Sequence, residues 1–138
     1  MTTAIDNATG TRQLVVCALG REQYGLPIEH VREIVRYAEP RPVASDVPWM
    51  RGVISLRGRL VPVHDLATRL GVEADRGEAA KLVIVDIGEE PVGVLVDDVV
   101  EVLQVEEARL EPVPSGEGRI ARVGERLVLL LDGEELAA

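Results

Sequence analysis

The segment Leu14–Val35, LVVCALGREQYGLPIEHVREIV, decides the expected fold because the chain repeats it. Residues Leu82–Leu103 read LVIVDIGEEPVGVLVDDVVEVL, the same pattern 68 positions later. Two copies are too few for a stacked-repeat protein, which needs about three repeats to bury its faces. We therefore expect two structurally similar halves within one unit. Seven of the 22 aligned positions are identical, namely Leu14/Leu82, Val15/Val83, Gly20/Gly88, Glu22/Glu90, Gly25/Gly93, Val31/Val99 and Glu33/Glu101.

Each copy has the pattern of a β-hairpin. In the first copy, the apolar runs Leu14–Leu19 and Tyr24–Ile28 flank a short polar turn that starts with Gly20. Short apolar runs separated by a glycine-containing turn are typical of two paired strands. The next residues, through Val35, fit a helical period over a short distance. They predict either a short helix or one helical turn that leads into a strand.

A second hairpin follows in the first half. Gly52–Leu56 and Arg59–His64 flank the pair Arg57-Gly58, which predicts two strands joined by a tight turn. Asp65 can then cap a short helix that Gly71 ends. This hairpin is also echoed, because RLVPVHD at residues 59–65 returns as RLVLLLD 67 positions later.

Turn signals at intervals of about 8 to 12 residues are typical of sandwiches and barrels. Roughly five short strands per half predict a mainly β fold of two small barrels packed together. Gly25 and Gly93, inside strands, indicate sharp bends or close backbone approach, and Pro62 indicates an edge strand or a bulge. We expect a flexible polar tail over residues 1–11 and a single domain over 12–136, with subdomains at about 12–72 and 80–136.

The composition supports a β fold and excludes several classes of function. The chain has 22 Val, 16 Leu and 7 Ile but no Phe, and β-branched side chains suit a pleated surface. Its net charge of −9 argues against nucleic-acid binding, which depends on cationic neutralisation of phosphates. The same charge argues against docking on an anionic membrane surface.

Cysteine content and hydropathy indicate a soluble cytoplasmic protein without membrane insertion. Cys17 is the single cysteine, so an intrachain disulfide and a cysteine zinc site are excluded. The polar N-terminus does not resemble a signal peptide. The longest apolar runs, such as Leu14–Leu19 and Leu127–Leu131, are far too short to cross a bilayer.

The candidate catalytic residues do not form a convincing active site. His64 and Asp65 are adjacent, and neighbouring residues on a strand point to opposite faces, so they cannot simply form a dyad. Ser55 lies in a strand without a nucleophile-elbow motif. A phosphoacceptor role for His30 would need a long exposed helix, which the flanking prolines prevent. We expect no catalytic, cofactor or metal site.

Three further features have simple structural explanations. Residues 81–86, KLVIVD, could open an α/β nucleotide-binding unit, but a hairpin turn follows instead of a helix. Cys17, between apolar neighbours, is best explained as a small core residue. The acidic pairs are best explained as solvated faces; they are Glu89-Glu90, Asp97-Asp98 and Glu106-Glu107.

Four segments together resemble the CheW-like family, the adaptor proteins of bacterial chemotaxis arrays. The resemblance covers about Gln13–Leu136, and its elements Y-G-L-P-I and L-R-G-R-L-V-P-V stand in the family's order. One departure is Ser55, where the family usually has Asn. The carrying segments are Leu19–Arg36, Val47–Leu66, Val92–Leu103 and Arg126–Leu136.

The resemblance implies a fold and a set of partners. The fold would be two five-stranded SH3-like barrels packed side by side, with short helical turns. The function would be non-catalytic and without cofactors: family members couple the cytoplasmic tips of chemoreceptors to a CheA-type histidine kinase, whose regulatory domain has the same fold. Partners would recruit the protein to membrane-associated receptor arrays, where it could join array-like oligomers.

The resemblance also implies partner-binding residues. Glu33 and Arg57 match an acidic residue and an arginine that pair near the partner surface. An ordinary exposed ion pair is the alternative for these two residues, and a purely structural need is the alternative for the glycines. Positions implicated in coupling are matched by Val31, Gly52, Gly58, Gly93 and Val102.

Two other functions stay open at this point. One is a CheW-like regulatory module of a non-flagellar two-component pathway, such as a pilus system, including a domain detached from a larger kinase. The other, less favoured, is a small β-barrel enzyme that uses His64 or Asp65.

Overall fold

The computed structural model describes residues 10–114, 116 and 118–131, and this part of the chain is mainly β. The expected tail over residues 1–9 and the predicted domain limit at 136 lie outside the described residues. Strand β1 already begins at Thr11, the last residue of the expected tail. The strands are β1 Thr11–Leu19, β2 Glu22–Pro27, β3 Val31–Arg36, β4 Met50–Leu56, β5 Arg59–Asp65, β6 Lys81–Ile87, β7 Glu90–Val96, β8 Asp98–Glu106, β9 Glu111–Pro112, β10 Arg119–Val123 and β11 Arg126–Leu130.

Within the described residues, three short helical elements connect the strands. They are the 3-10 turns Ile28–His30 and Glu107–Arg109 and the helix α1, Leu66–Leu70. The ambiguous segment after the first hairpin is thus one helical turn that leads into β3, which was one of the two expected outcomes. Asp65 caps α1 by accepting a hydrogen bond from the Thr68 amide, and Gly71 ends it in the left-handed conformation, as predicted.

The strands form two sheets, each built from both halves of the chain. The first sheet has the order β8-β1-β2-β11-β10-β9, and the second has the order β3-β6-β7-β5-β4. The hairpin β1–β2 of the first half therefore lies in a sheet whose other strands come from the second half. The hairpin β6–β7 of the second half likewise lies in a sheet whose other strands come from the first half. The mainly β class is confirmed. The pairing differs, however, from the contiguous division at about residues 72 and 80, because the hairpins β1–β2 and β6–β7 are exchanged.

The sequence repeat is reproduced in the strand register. Gly25 pairs with Val16 on β1 and with Leu130 on β11. Its counterpart Gly93 pairs with Ile84 on β6 and with Val63 on β5. These partners are themselves equivalent in the repeat, so the two sheets are two copies of one arrangement.

The exchanged hairpins build the central core. Their buried side chains form one cluster that joins both sheets, and equivalent positions of the two copies face it together. Burying these aliphatic side chains holds the sheets against each other. The cluster includes the pairs Val15/Val83, Cys17/Val85, Tyr24/Val92 and Leu26/Val94.

Each sheet also has its own smaller interior cluster. The second sheet contributes Val63 and Ile84, and the first contributes Val16 and Val128. Cys17 is fully buried in the central cluster, and burial raises its pKa to about 12. The prediction of a core cysteine is confirmed.

Pro62 departs from the prediction of an edge strand or bulge. Strand β5 lies between β7 and β4, and Pro62 pairs directly with Val53. The Val53 backbone exchanges both of its hydrogen bonds with Arg41 instead. The Pro62 nitrogen therefore faces β7, whose pairing with β5 starts only at Val63, so no ladder donor is missing.

The two strand-interior glycines have different surroundings. A Cβ at Gly25 would lie 2.9 Å from the Leu14 side chain, so the crowding comes from side chains and not from the backbone approach that was one of the two expectations. A Cβ at Gly93 would meet nothing nearer than 3.5 Å, at Ile84. Gly93 is therefore not crowded, and the sharp bend that was the other expectation for these glycines stays a prediction.

Candidate functional site

An ion pair between Glu33 and Arg57 joins the two ends of the second sheet. Glu33 lies on edge strand β3, and Arg57 lies in the turn between β4 and β5, at the other end of the strand order. The Arg57 guanidinium donates a hydrogen bond to Glu33 Oε2. This bond is the main reason why the pKa of Glu33 is lowered and that of Arg57 is raised. The sheet therefore curls until its ends meet through side chains.

The backbone of Arg57 adopts a conformation that its side chain disfavours. Its φ is 52°, and it is the one non-glycine residue with positive φ in the described part of the chain. Gly58 follows with φ 81°. Two consecutive positive φ values are typical of a tight hairpin turn that favours Asn or Gly at both positions. The arginine is therefore kept at a steric cost, which indicates a use for its side chain.

The ion pair borders a small apolar depression. Its volume is about 170 Å³, and the buried side chains Val61 and Ile84 form part of its wall. Three arginines surround it, and each is paired with a carboxylate: Arg32 with Asp86, Arg57 with Glu33, and Arg59 with Glu90. Its border therefore carries paired charges of both signs. The lining residues are Arg32, Glu33, Leu56, Arg57, Arg59, Val61, Ile84 and Pro91.

The first sheet carries a similar ion pair between an edge-strand glutamate and a hairpin arginine, although the arginine is not the repeat counterpart of Arg57. Glu101, the repeat counterpart of Glu33, lies on edge strand β8 and forms an ion pair with Arg126, whose Nη1 lies 2.7 Å from Glu101 Oε2. Arg126 is the counterpart of Arg59, at the start of the closing strand of the hairpin. This pair was not predicted from the sequence. The glutamate had a signal, since Glu33/Glu101 is one of the seven identities, but the heptapeptide echo aligns Arg126 with Arg59, and the counterpart of Arg57 is Gly124.

Exposed apolar side chains are duplicated in the same way. Ile34 and its counterpart Val102 are 40% and 54% exposed, and Leu60 and its counterpart Leu127 are 72% and 52% exposed. Large exposed aliphatic residues thus stand at matching places in the two sheets. Each sheet thus presents an edge-strand glutamate, a hairpin arginine and two exposed aliphatic side chains.

The seven sequence-predicted residues do not form one surface. Glu33, Arg57 and Gly58 lie together at the end of the second sheet, whereas Val102 lies on β8 of the first sheet. Val31 is half-buried against the central cluster. Gly52 and Gly93 are buried. Their partner-binding role stays a prediction, and for Gly52 the structure supplies a direct packing reason.

His64 and Asp65 occupy separate structural positions. His64 is half-buried on β5, and Asp65 is buried with its carboxylate engaged by the α1 amide and by arginines. Asp65 is therefore committed to the fold. No cluster of three or more His, Cys, Asp or Glu residues that could hold a metal occurs among the residues that the structure describes. The acidic pair Asp97-Asp98 is not simply solvated, because Asp97 is 6% exposed.

Replacing His64 with glutamine is expected to make stability less sensitive to mild acid. Burial, and then the charge of Arg69, lowers the pKa of His64. The folded state therefore resists protonation, so the free energy of unfolding falls as pH drops from the ordinary histidine range toward the lower folded value. Urea midpoints at about pH 7.5 and about pH 5 measure this loss. Equal losses in both proteins would contradict the prediction.

Comparisons with known proteins agree with this architecture. The family model for the CheW-like domain matches residues 13–138. Chemotaxis protein CheW of Rhizobium meliloti is 32% identical over 135 residues, with 96% of this chain and 87% of that protein covered. Chemotaxis protein CheW of Klebsiella aerogenes is 31% identical over 136 residues, with 91% and 81% covered.

A solved structure has the same fold. The scaffolding protein TtCheW of Thermoanaerobacter tengcongensis superposes with a TM-score of 0.81 at 29% identity, covering 86% of this chain and 82% of that one. Across the described residues, no helix is long and apolar enough to cross a membrane. The family match, the relatives and the shared fold identify the chain as a member of the CheW-like domain family.

Proposed function

We propose that this protein is a non-catalytic adaptor of chemotaxis-type signal transduction that couples chemoreceptor tips to a CheA-type histidine kinase. Family membership, relatives named for chemotaxis and a structural neighbour described as a scaffolding protein support an adaptor role. The protein acts in the cytoplasm and reaches receptor arrays through its partners. The position of Asp65, buried as a helix cap, weighs against the enzyme alternative.

One observation carries the proposal: each sheet has its own set of docking features, by which we mean the edge-strand glutamate, the hairpin arginine and the exposed aliphatic side chains described above. A protein that bridges two partners needs two surfaces that can be occupied together. The second sheet offers Glu33, Arg57 and Ile34, and the first offers Glu101 and Arg126 with its neighbours. Exposed aliphatic side chains next to charges are what a non-obligate interface requires, since apolar contacts give affinity and charges give specificity.

Replacing Arg57 with alanine is expected to weaken binding to the kinase regulatory domain from the same organism at least tenfold. Titration calorimetry of the purified proteins measures the dissociation constant, and each tenfold change corresponds to about 1.4 kcal/mol. Ile34→Asp separately tests the exposed aliphatic side chain of β3, which points to the face opposite Glu33. Ile34 is a better choice than Val31, because Val31 packs against the central cluster and its replacement would disturb the fold.

A matched control separates this surface from general charge effects. Arg109 is 81% exposed and pairs with Glu106 within the first sheet's edge region. Arg109→Ala removes the same charge and should leave kinase binding unchanged. If Arg57→Ala and Ile34→Asp both bind as the unaltered protein does, the kinase does not use this surface. If the unaltered protein binds no such kinase, the coupling role itself is wrong.

A further inference from the structure

The segment that joins the two halves of the chain crosses from one sheet to the other and back. It starts after Gly71, which ends α1 beside the second sheet, and it ends at Lys81, where β6 enters that same sheet. On the way it passes over the turn between β1 and β2 of the first sheet. The contact is close, because a Cβ at Gly20 would lie 2.5 Å from the Glu73 carbonyl oxygen. We call residues 72–77 the strap.

One arginine of the strap reaches two buried carboxylates. Arg76 Nη2 lies 2.6 Å from Asp65 Oδ1, and Arg76 Nε lies 4.0 Å from Asp97 Oδ1. Asp65 and Asp97 are 2% and 6% exposed. Asp65 lies where β5 meets α1, and Asp97 lies where the chain passes from β7 in the second sheet to β8 in the first.

Asp97 also fastens the strap to the turn beneath it. Its Oδ2 accepts hydrogen bonds from the amides of Gly20 and Asp75, both at 2.6 Å. One carboxylate oxygen thus links the β1–β2 turn to the strap. Its other oxygen, Oδ1, has no hydrogen-bond partner among the described residues and faces Arg76 at ion-pair distance.

The two carboxylates do not depend on Arg76 equally. Asp65 has further partners in Arg51 and the Thr68 amide. Asp97 has Arg76 as its ion-pair partner in the described part of the chain. A buried carboxylate is costly unless its charge is compensated. Without Arg76, the Asp97 carboxylate would therefore move toward solvent. Either its hydrogen bond to the Asp75 amide would break, or the strap would move together with the carboxylate.

The strap itself has little else to hold it. Its residues after Val72 are polar or small, and its backbone forms no strand ladder. The Arg76 side chain is 30% exposed, so solvent reaches the ion pairs that it forms. The two sheets beneath the strap are held together by the central aliphatic cluster. The strap contributes only Val72 to that cluster. Segments with few buried contacts open at lower free energy than the core.

We infer that the strap is a latch, which opens as a unit over the β1–β2 turn while both sheets stay folded and which Arg76 holds closed. Opening frees the amides of Gly20 and Asp75 and exposes Asp97 where the chain crosses between the sheets. This device is separate from the docking features at the sheet edges, since it uses none of their residues.

Hydrogen exchange on the full chain tests the latch. In the unaltered protein, the Gly20 and Asp75 amides should exchange faster than central-strand amides such as that of Leu26, because strap opening precedes global unfolding. In Arg76→Met, exchange at Gly20 and Asp75 should accelerate at least tenfold relative to the central strands. The control Arg109→Met removes an exposed arginine elsewhere and should leave the ratio unchanged.

Two outcomes would overturn the inference. If Gly20 and Asp75 exchange at the rate of the central strands in the unaltered protein, the strap has no opening of its own, whatever happens to the variant. If they exchange faster but Arg76→Met leaves the ratio unchanged, the arginine is not the latch. Cleavage by a glutamate-specific protease after Glu73 or Glu78 gives an independent measure, and it should be faster in Arg76→Met than in Arg109→Met.

Discussion

Replacing Gly52 with alanine is expected to abolish stable folding. Gly52 has a φ of 139°, and a Cβ placed there would lie 2.0 Å from the Arg41 carbonyl oxygen. That oxygen accepts a hydrogen bond from the Val53 amide. The loop before β4 is therefore held at the position that the methyl group of the new alanine would occupy. Strained backbone and a clash with main chain together should cost at least about 4 kcal/mol, a large part of the total stability of a small domain.

Gly58 is the matched control for this substitution. Its φ is also positive, at 81°, but a Cβ there would meet nothing within 4 Å. Gly58→Ala should therefore cost only the backbone penalty, about 1–2 kcal/mol. Urea unfolding followed by circular dichroism measures both variants. Similar losses in the two would show that the loop at Arg41 moves aside and that backbone conformation alone matters.

This contrast bears on how site residues are chosen from a family resemblance. Gly52 and Gly58 are both matched positions, yet one is confined by main chain and the other is in open space. A loss of coupling on altering Gly52 would follow from unfolding alone. Gly58 lies beside Arg57 in the tight turn, so its effect on binding would act through the position of that guanidinium.

The sequence pattern specified the elements better than their assembly. Alternating apolar runs and glycine turns depend on local chemistry, so the hairpins, the Asp65 cap and the Gly71 helix end could be predicted. The exchange of β1–β2 and β6–β7 could not, because each hairpin has the same apolar pattern whichever sheet it joins. Two equal copies offer equal local preferences, and only the packing of the whole chain decides between them.

Part of the candidate site could also be predicted, because two of its residues stand in recognisable motifs. Glu33 and Arg57 came from motif resemblance, and the structure brings them into contact. Of the pair Glu101–Arg126, the repeat signals the glutamate but not the arginine, because it aligns Arg126 with Arg59 and not with Arg57. The buried role of Asp97 had no signal, because Asp97-Asp98 looks like any exposed acidic pair until the strap supplies its partners.

Replacing Asp65 with alanine is expected to cost about 2–4 kcal/mol of unfolding free energy, from a lost helix cap and lost charge-assisted hydrogen bonds. The carboxylate accepts from the Thr68 amide and pairs with Arg51 and Arg76, on β4 and on the strap. One buried side chain thus holds a helix start, a strand and the strap. The remaining arginines are partly exposed, so hydration limits the loss below that of a fully buried unpaired charge.

Asp65→Asn separates the two contributions. Its side-chain oxygen can still accept from the Thr68 amide, so the cap survives while the attraction for both arginines is lost. Chemical unfolding of the two variants should then place the asparagine protein about 1 kcal/mol above the alanine protein. Equal stabilities would mean that the cap contributes nothing and that the arginines account for the whole effect. An asparagine protein as stable as the unaltered one would mean that charge at Asp65 is dispensable, and the strap would then depend on Asp97 alone.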